Sequence, residues 1–285
     1  MESAIISSAF HEHESDFVLA VRELNSLVGL KSVKTEIGRI INLAKVDAMR
    51  HRRGLKTADM SFHMVFSGNP GTGKTTVARL LGRIFKGLGL LSKGHLVEVD
   101  RSSLCADYVG QTATKTKKVI QSAMGGVLFI DEAYSLNART SPGTQDYGNE
   151  AVSTLLKEME DHREDLIVIV AGYTDLMDDF ISMNPGLESR FRFRIEFEDY
   201  SPEEMAMIFW SFCNRNGFGI TEETYTRIQG IFVSYTLGKG RQFSNARLAR
   251  NLFENAVMNQ AQRLSGIENP SDYDLKVIVR EDLSA

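Results

Sequence analysis

The chain has 285 residues, more than one compact domain needs, with the 42% apolar and 25% charged content of an ordinary soluble globular protein. A formal net charge of −4, without a Lys/Arg stripe, argues against nucleic acid as a partner. No apolar run nears the ~20 residues of a membrane span, and Cys105 and Cys213, far apart and without metal-type spacing, read as reduced thiols of a cytoplasmic protein.

In chain order, Met1 to Ser15 is a polar leader without the basic start of a secretory signal. Its His11 and His13 have no further ligands spaced to join them in a metal site. Asp16 to Leu27 carries a short amphipathic pattern (Phe17, Val21, Leu24) that predicts a docking helix. After Leu27-Val28-Gly29-Leu30, the residues Val33, Ile37, Ile40, Ile41 and Ala44 recur at the 3–4 spacing of one buried helix face. Lys45, Arg50, Arg52, Arg53 and Lys56 read as a solvated helix face. Thr57 to Ser61 then links to a short apolar strand, Phe62 to Ser67.

Further strands are expected at Leu96–Asp100, Val127–Ile130, Leu166–Ala171 and Phe193–Phe197. Helices are expected at Thr76–Phe85, Thr112–Met124 and Asn149–Asp161, with a loop from Asn137 to Gly148. Val127-Leu128-Phe129-Ile130 is continuously apolar, as a strand covered on both faces must be. Strands alternating with helices predict a doubly wound α/β domain to about Tyr200. From Pro202 the pattern turns helical: Met205, Ile208, Phe209 and Phe212 first, then Thr221–Tyr235, then Ser244–Leu264 with Ser244 as its N-cap. A short strand is expected at Leu275–Val279. The chain therefore divides into a leader with a short helix (1–26), an α/β domain (27–200) and a smaller helical domain (201–285).

The chemistry centres on Gly68-Asn69-Pro70-Gly71-Thr72-Gly73-Lys74-Thr75, set between a strand and a helix. Glycines let such a loop curl its N–H groups inward around phosphate oxygens, and the helix N-terminus adds partial positive charge. Lys74 reaches the β- and γ-phosphates, and the Thr75 hydroxyl serves Mg²⁺. Asn69 to Thr76 are thus the expected nucleotide contacts, and the chain is expected to bind a nucleoside triphosphate. Asp131 and Glu132, at the end of an apolar strand, supply the second signal. Asp131 would hold Mg²⁺ through its water shell, and Glu132 would orient and deprotonate the attacking water. Thr174 either senses the γ-phosphate or caps the helix that follows it. Arg190, before the last strand, is placed to reach a neighbour's γ-phosphate, with Arg192 and Arg194 competing for the role. Arg247, on the first turn of the last long helix, either reaches back to the phosphates or is a helix-face charge.

Together the GNPGTGKT loop, LFIDEAYSL at Leu128–Leu136, AGY at Ala171–Tyr173, NPGLESRF and FSNAR resemble the AAA+ ATPases, and more narrowly the CbxX/CfqX group. The resemblance covers Leu27 to Leu264. It implies a five-stranded parallel sheet with a helical lid, assembled as a ring, usually a hexamer, with ATP between subunits. It makes Lys74 and Thr75 Walker A, Asp131 and Glu132 Walker B, Thr174 sensor 1 (with Tyr173 the competing choice), Arg190 the finger and Arg247 sensor 2. Val28 and Gly29 match the adenine-side backbone contact. Tyr108-Val109-Gly110 matches the aromatic–aliphatic–glycine pore loop of ring translocases, in which an aromatic grips an unfolded segment and glycine lets the loop swing. The implied activity is an ATP-driven motor that remodels or threads a protein client, as a Rubisco activase or a sporulation factor would. A loader or nucleic-acid-handling ATPase of the same fold, or an ATP-dependent scaffold, would carry the same loop.

Overall fold

The computed structural model describes residues 16–56, 60–106, 110–137, 147–237 and 244–283. Contact clustering divides the chain into two compact units. The first comprises the chain to Leu27, then Lys31–Gly68 and Lys74–Phe197. The second comprises Glu198–Ala285 together with two short pieces, Val28–Leu30 and Asn69–Gly73. Among the described residues no helix is long and apolar enough to cross a membrane.

The first unit opens with helix α1 (16–26), whose Ala20 and Leu24 are buried. Helix α2 (Lys31–Arg52) buries Val33, Ile37, Ile40, Ile41 and Ala44, the stripe read from the sequence. Its last turn is basic, which suits the negative end of the helix dipole, and Arg50 donates to the Lys56 carbonyl at 2.7 Å, tying down the segment that follows the helix. Strand β1 (Met64–Gly68) leads to the glycine loop, and helix α3 (Lys74–Leu88) starts at Lys74 itself. Arg83 of α3 pairs with Asp16 and Glu23 of α1, each at 2.7 Å, which fastens the short helix.

There follow β2 (Leu96–Val99), a four-residue helix α4 (Arg101–Leu104), α5 (Thr112–Ala123) and β3 (Val127–Ile130). After a 3-10 turn (Ala133–Asn137) come α6 (Tyr147–Asp161), β4 (Ile167–Gly172), α7 (Thr174–Ser182), α8 (Pro185–Arg190) and β5 (Phe193–Phe197). The strands form one five-stranded sheet in the order β2-β3-β4-β1-β5, every neighbouring pair parallel. All residues of β3 and β4 are buried, because helices cover both faces. Val65, Leu128, Ile130, Val168 and Val170 join one core with residues from α5 to α8. The other face receives α3, where Gly82 approaches the Gly94 carbonyl and Val127 closely enough to exclude a side chain. The segment Pro185–Arg190 is a short helix capped by Asn184, which accepts from Gly186 N at 2.8 Å.

The second unit packs α9 (Pro202–Arg215), α10 (Glu222–Leu237) and α11 (Ala246–Leu264) around Phe209, Phe232 and Phe253. Phe253 meets Phe209 and Phe218 edge-on, with ring centroids 6.0 and 5.9 Å apart. Ser201 and Glu204 form a capping box with Pro202 at the first position of α9, as that proline signals. Two short strands, β6 (Gly219–Ile220) and β7 (Val277–Ile278), pair in parallel. The terminal strand is shorter than expected because Ser271 caps a helix, α12 (Asp272–Lys276), which takes up Leu275. A buried Asp282 is matched by Arg263 at 2.8 and 3.0 Å and by the Val279 amide, so its charge is fully partnered. Cys105 and Cys213 are free, and burial pushes the Cys213 thiol up to about 12.

Candidate active site

In the first unit the candidate residues lie at the carboxyl edge of the parallel sheet, where ligands of open α/β folds bind. Lys74 opens α3 and donates through Nζ to the Gly68 carbonyl at 2.7 Å, folding back over the start of the loop. The Thr75 hydroxyl donates to Glu98 Oε1 at 3.3 Å. Glu98 lies on β2 in register with Phe129 of β3, and the next pair in that ladder is Val99 with Ile130. The Asp131 amide donates to the Val99 carbonyl at 2.8 Å, extending the ladder one step beyond β3. Thr75, Glu98 and Asp131 are thus neighbours, and the site gains an acid the sequence did not flag. Asp131 Oδ1 accepts from the Glu132 amide at 3.1 Å.

Glu132 has φ +48°, a left-handed conformation costly for a residue with a Cβ. It is held there by Ser135 N, which donates to the Glu132 carbonyl at 2.8 Å, while Arg101 donates to the Ser135 carbonyl. Burial first, then the charge of Glu132, pushes the Tyr134 phenol up to about 12. The Tyr134 ring lies 6.1 Å from that of Tyr173, just past β4. Thr174 is the first residue of α7, next to the strand that neighbours β3. The N-cap position belongs to Tyr173 and has no side-chain cap, so the capping role considered for Thr174 is not the one it plays.

Arg190 lies elsewhere. It ends α8 just before β5, and the Ser61 hydroxyl, ahead of β1, donates to its carbonyl at 3.4 Å. Its guanidinium faces Glu160 at 3.3 Å and the Gly186 carbonyl at 3.4 Å, and its Nε is buried without a hydrogen-bond partner. This is the amino edge of the sheet, a strand length from Asp131: roughly 16 Å for five residues. Arg194 pairs with Asp178 at 3.1 Å and Arg192 is exposed.

In the second unit, the loop Asn69–Gly73 is hydrogen-bonded to residues flanking α9 and α11. Asn69 Nδ2 donates to both Asp199 carboxylate oxygens at 2.9 and 3.1 Å. Asn245 Nδ2 donates to Asp199 Oδ1 at 2.8 Å and to the Pro70 carbonyl at 3.3 Å, while its Oδ1 accepts from Tyr200 N at 2.9 Å. The Tyr200 hydroxyl donates to the Thr72 carbonyl at 3.1 Å, and Ala246 N to the Gly71 carbonyl at 3.1 Å. Gly71 has φ +74°, and a Cβ there would overlap the Ser244 carbonyl oxygen and crowd Arg247 N. Gly29 has φ +61° and faces Tyr200 and Glu204, and Leu30 approaches Gly73. This unit therefore collects Gly29, Gly71, Gly73 and the first turn of α11, which carries Arg247. The N-cap of α11 is Asn245, at φ +49°, and not Ser244, whose carbonyl instead accepts from Arg247 N at 3.0 Å. Asp199, Tyr200 and Asn245 escaped the sequence reading, although Asn245 stands inside the FSNAR motif.

Tyr108 and Val109 lie outside the described residues, and Gly110 has φ +77°. His11 and His13 also lie outside them. The donor set fits a hard cation with a polyphosphate. A hydroxyl and carboxylates stand together at Thr75, Glu98 and Asp131, the oxygen donors such a cation takes.

Comparison with known proteins identifies the family and the fold. Residues 64–199 match the model of the ATPase family associated with various cellular activities (AAA), and residues 201–285 match the AAA lid domain. Stage V sporulation protein K of Bacillus subtilis is 41% identical, over 92% of this chain and 81% of its own length. The chloroplastic ribulose bisphosphate carboxylase/oxygenase activase of Cyanidioschyzon merolae is 43% identical, over 90% of this chain and 87% of its own. Protein CbbX of Cereibacter sphaeroides is also 43% identical, over 91% and 83%. The ADP complex of the FIGL-1 AAA domain has the same fold, with a TM-score of 0.62 at 20% identity over 90% of this chain and 80% of its own. The chain belongs to the AAA ATPases, in their CbxX/CfqX group, and is an ATP hydrolase.

Proposed function

We propose that the chain is a ring-forming motor, a hexamer in the working state, that uses ATP hydrolysis to remodel or partly thread a protein client. The observation that carries the reading is the juxtaposition of Thr75, Glu98 and Asp131 at the carboxyl edge, with Glu132 held in a left-handed turn beside them. The loop from Asn69 to Thr76 wraps the triphosphate. Lys74 exchanges its Gly68 carbonyl for phosphate oxygens, and the Thr75 hydroxyl and Asp131 hold Mg²⁺. When bound, that ion neutralises charge on the phosphates. Glu132 accepts the proton of the attacking water as its oxygen bonds to the γ-phosphorus and the bond to the bridging oxygen breaks. Thr174 steadies the γ-phosphate or the water. Val28 and Gly29 border the adenine, and Arg247 adds a cation from the first turn of α11.

The position of Arg190 supports the ring. It is a strand length from its own acid pair, so the nucleotide it serves as a finger belongs to a neighbouring copy. Tyr108, Val109 and Gly110 grip the client in the central hole. The name of one relative supplies a client class, Rubisco, and that of another sets it in sporulation, where the client would be a sporulation factor. Glu132→Gln tests the core of the reading. ATP binding should persist while turnover falls about 10²–10⁴-fold, the span of a general base. The trapped ring should then retain its client on purification. Unchanged turnover, or a monomer inert toward ATP, overturns the proposal.

A further inference from the structure

The phosphate loop is gripped by its carbonyls. Three successive ones are taken by donors around the starts of α9 and α11. The Pro70 carbonyl accepts from Asn245 Nδ2 at 3.3 Å, that of Gly71 from Ala246 N at 3.1 Å, and that of Thr72 from the Tyr200 hydroxyl at 3.1 Å. A trans peptide points its C=O and its N–H in opposite directions. Fixing these carbonyls on the outer side therefore turns the amides of Gly71, Thr72 and Gly73 to the inner side, where a phosphate is cradled. The clamp is itself held in place. Asn245 is fully buried, at φ +49°, and its Oδ1 accepts from Tyr200 N at 2.9 Å, which ties the two side-chain donors together. The Asp199 carboxylate accepts from Asn69 Nδ2 at 2.9 Å and from Asn245 Nδ2 at 2.8 Å, fixing both amide groups.

We infer that Tyr200 and Asn245 are positioning residues for nucleotide binding, which hold the loop's carbonyls outward and so keep three amides aimed at the phosphates before any nucleotide arrives. The inference rests on the reading of Asn69–Thr76 as the phosphate cradle. Gly71, at φ +74°, and Gly73, at φ +99°, give the loop a freedom that the ligand would otherwise have to remove at its own cost. The clamp removes it in advance. These amides face the phosphates that ADP and ATP share, so the effect belongs to the affinity for both and not to the hydrolytic step.

Two variants open the clamp. Tyr200→Phe removes one donor and keeps the ring. Asn245→Gly removes the amide group and keeps the left-handed backbone. Each should weaken ADP and a non-hydrolysable ATP analogue alike, about tenfold by calorimetry, with KM for ATP raised in step and kcat at saturation within about threefold. ADP should also raise the unfolding midpoint of either variant less than that of the parent. Lys74→Ala is the reference, since it should abolish binding whatever holds the loop. With binding lost in Lys74→Ala, parental affinity in Tyr200→Phe overturns this inference alone, as does a loss confined to the ATP analogue. Parental affinity in Lys74→Ala removes the cradle reading beneath it.

Discussion

The two edges of the parallel sheet carry opposite chemistry. At the carboxyl edge, Glu98, Asp131 and Glu132 gather acidic oxygens around Thr75, and Glu132 is exposed. At the amino edge, His63 is buried before β1, and Arg190 lies beside Glu160. His63 Nδ1 accepts from the Val168 amide at 3.0 Å, so the ring stands in for a ladder carbonyl and is held neutral, with burial pushing its pKa down to about 4. The carboxyl edge gathers acids around a hydroxyl, whereas the amino edge buries a neutral ring and sets Arg190 against Glu160. Strand polarity explains the sorting. In a parallel sheet every helix N-terminus follows a strand's carboxyl end, so phosphate-binding loops accumulate on one side only.

The largest effect that would break this contrast is at Arg190. If it serves a neighbour, Arg190→Ala should lower turnover about 10³-fold with ATP binding intact. Mixing Arg190→Ala with Glu132→Gln chains should then restore part of the rate, since one copy brings the intact acid pair and the other the arginine. No recovery in the mixture would place the arginine's role within its own chain. Next comes His63. Above pH 6.5 the ring is neutral folded and unfolded, so stability is full there. Below it the unfolded chain takes up a proton that the folded chain refuses until about pH 4. Stability should therefore fall by about 3 kcal/mol between those values. His63→Gln, uncharged throughout, should flatten that part of a denaturant-midpoint profile against pH. The smallest expected effect sharpens the carboxyl edge. Thr174→Ala should cost about tenfold in kcat, the worth of one hydrogen bond to a charged partner, with little change in unfolding midpoint. A stability loss instead would make Thr174 part of α7 alone.

Much of this was legible in the residues. The α2 stripe, the fully apolar β3 and β4, and the strand–loop–helix context of Gly68–Thr75 follow from periodicity and glycine placement, which are local properties. What escaped were partners distant along the chain. Asp199 meets Asn69 across 130 positions and His63 meets Val168 across 105, and neither spacing leaves a periodic trace. Ser244 was the natural cap by residue type, but Asn245 takes the position because asparagine tolerates the left-handed backbone required there. Tyr134 was visible inside the LFIDEAYSL motif, yet its packing depends on Gly172, which only the fold of β4 brings against its ring.

The hydrogen bonds from Asp199, Tyr200 and Asn245 to the loop bear on how the protein can be dissected. Truncation after Phe197 would keep all five strands yet strip Asn69–Gly73 of the groups that set its curvature. A shortened chain of that kind should fold and still be blind to nucleotide. Reduction to a minimal ATP-binding fragment therefore fails at a point that a count of secondary-structure elements would pass as safe.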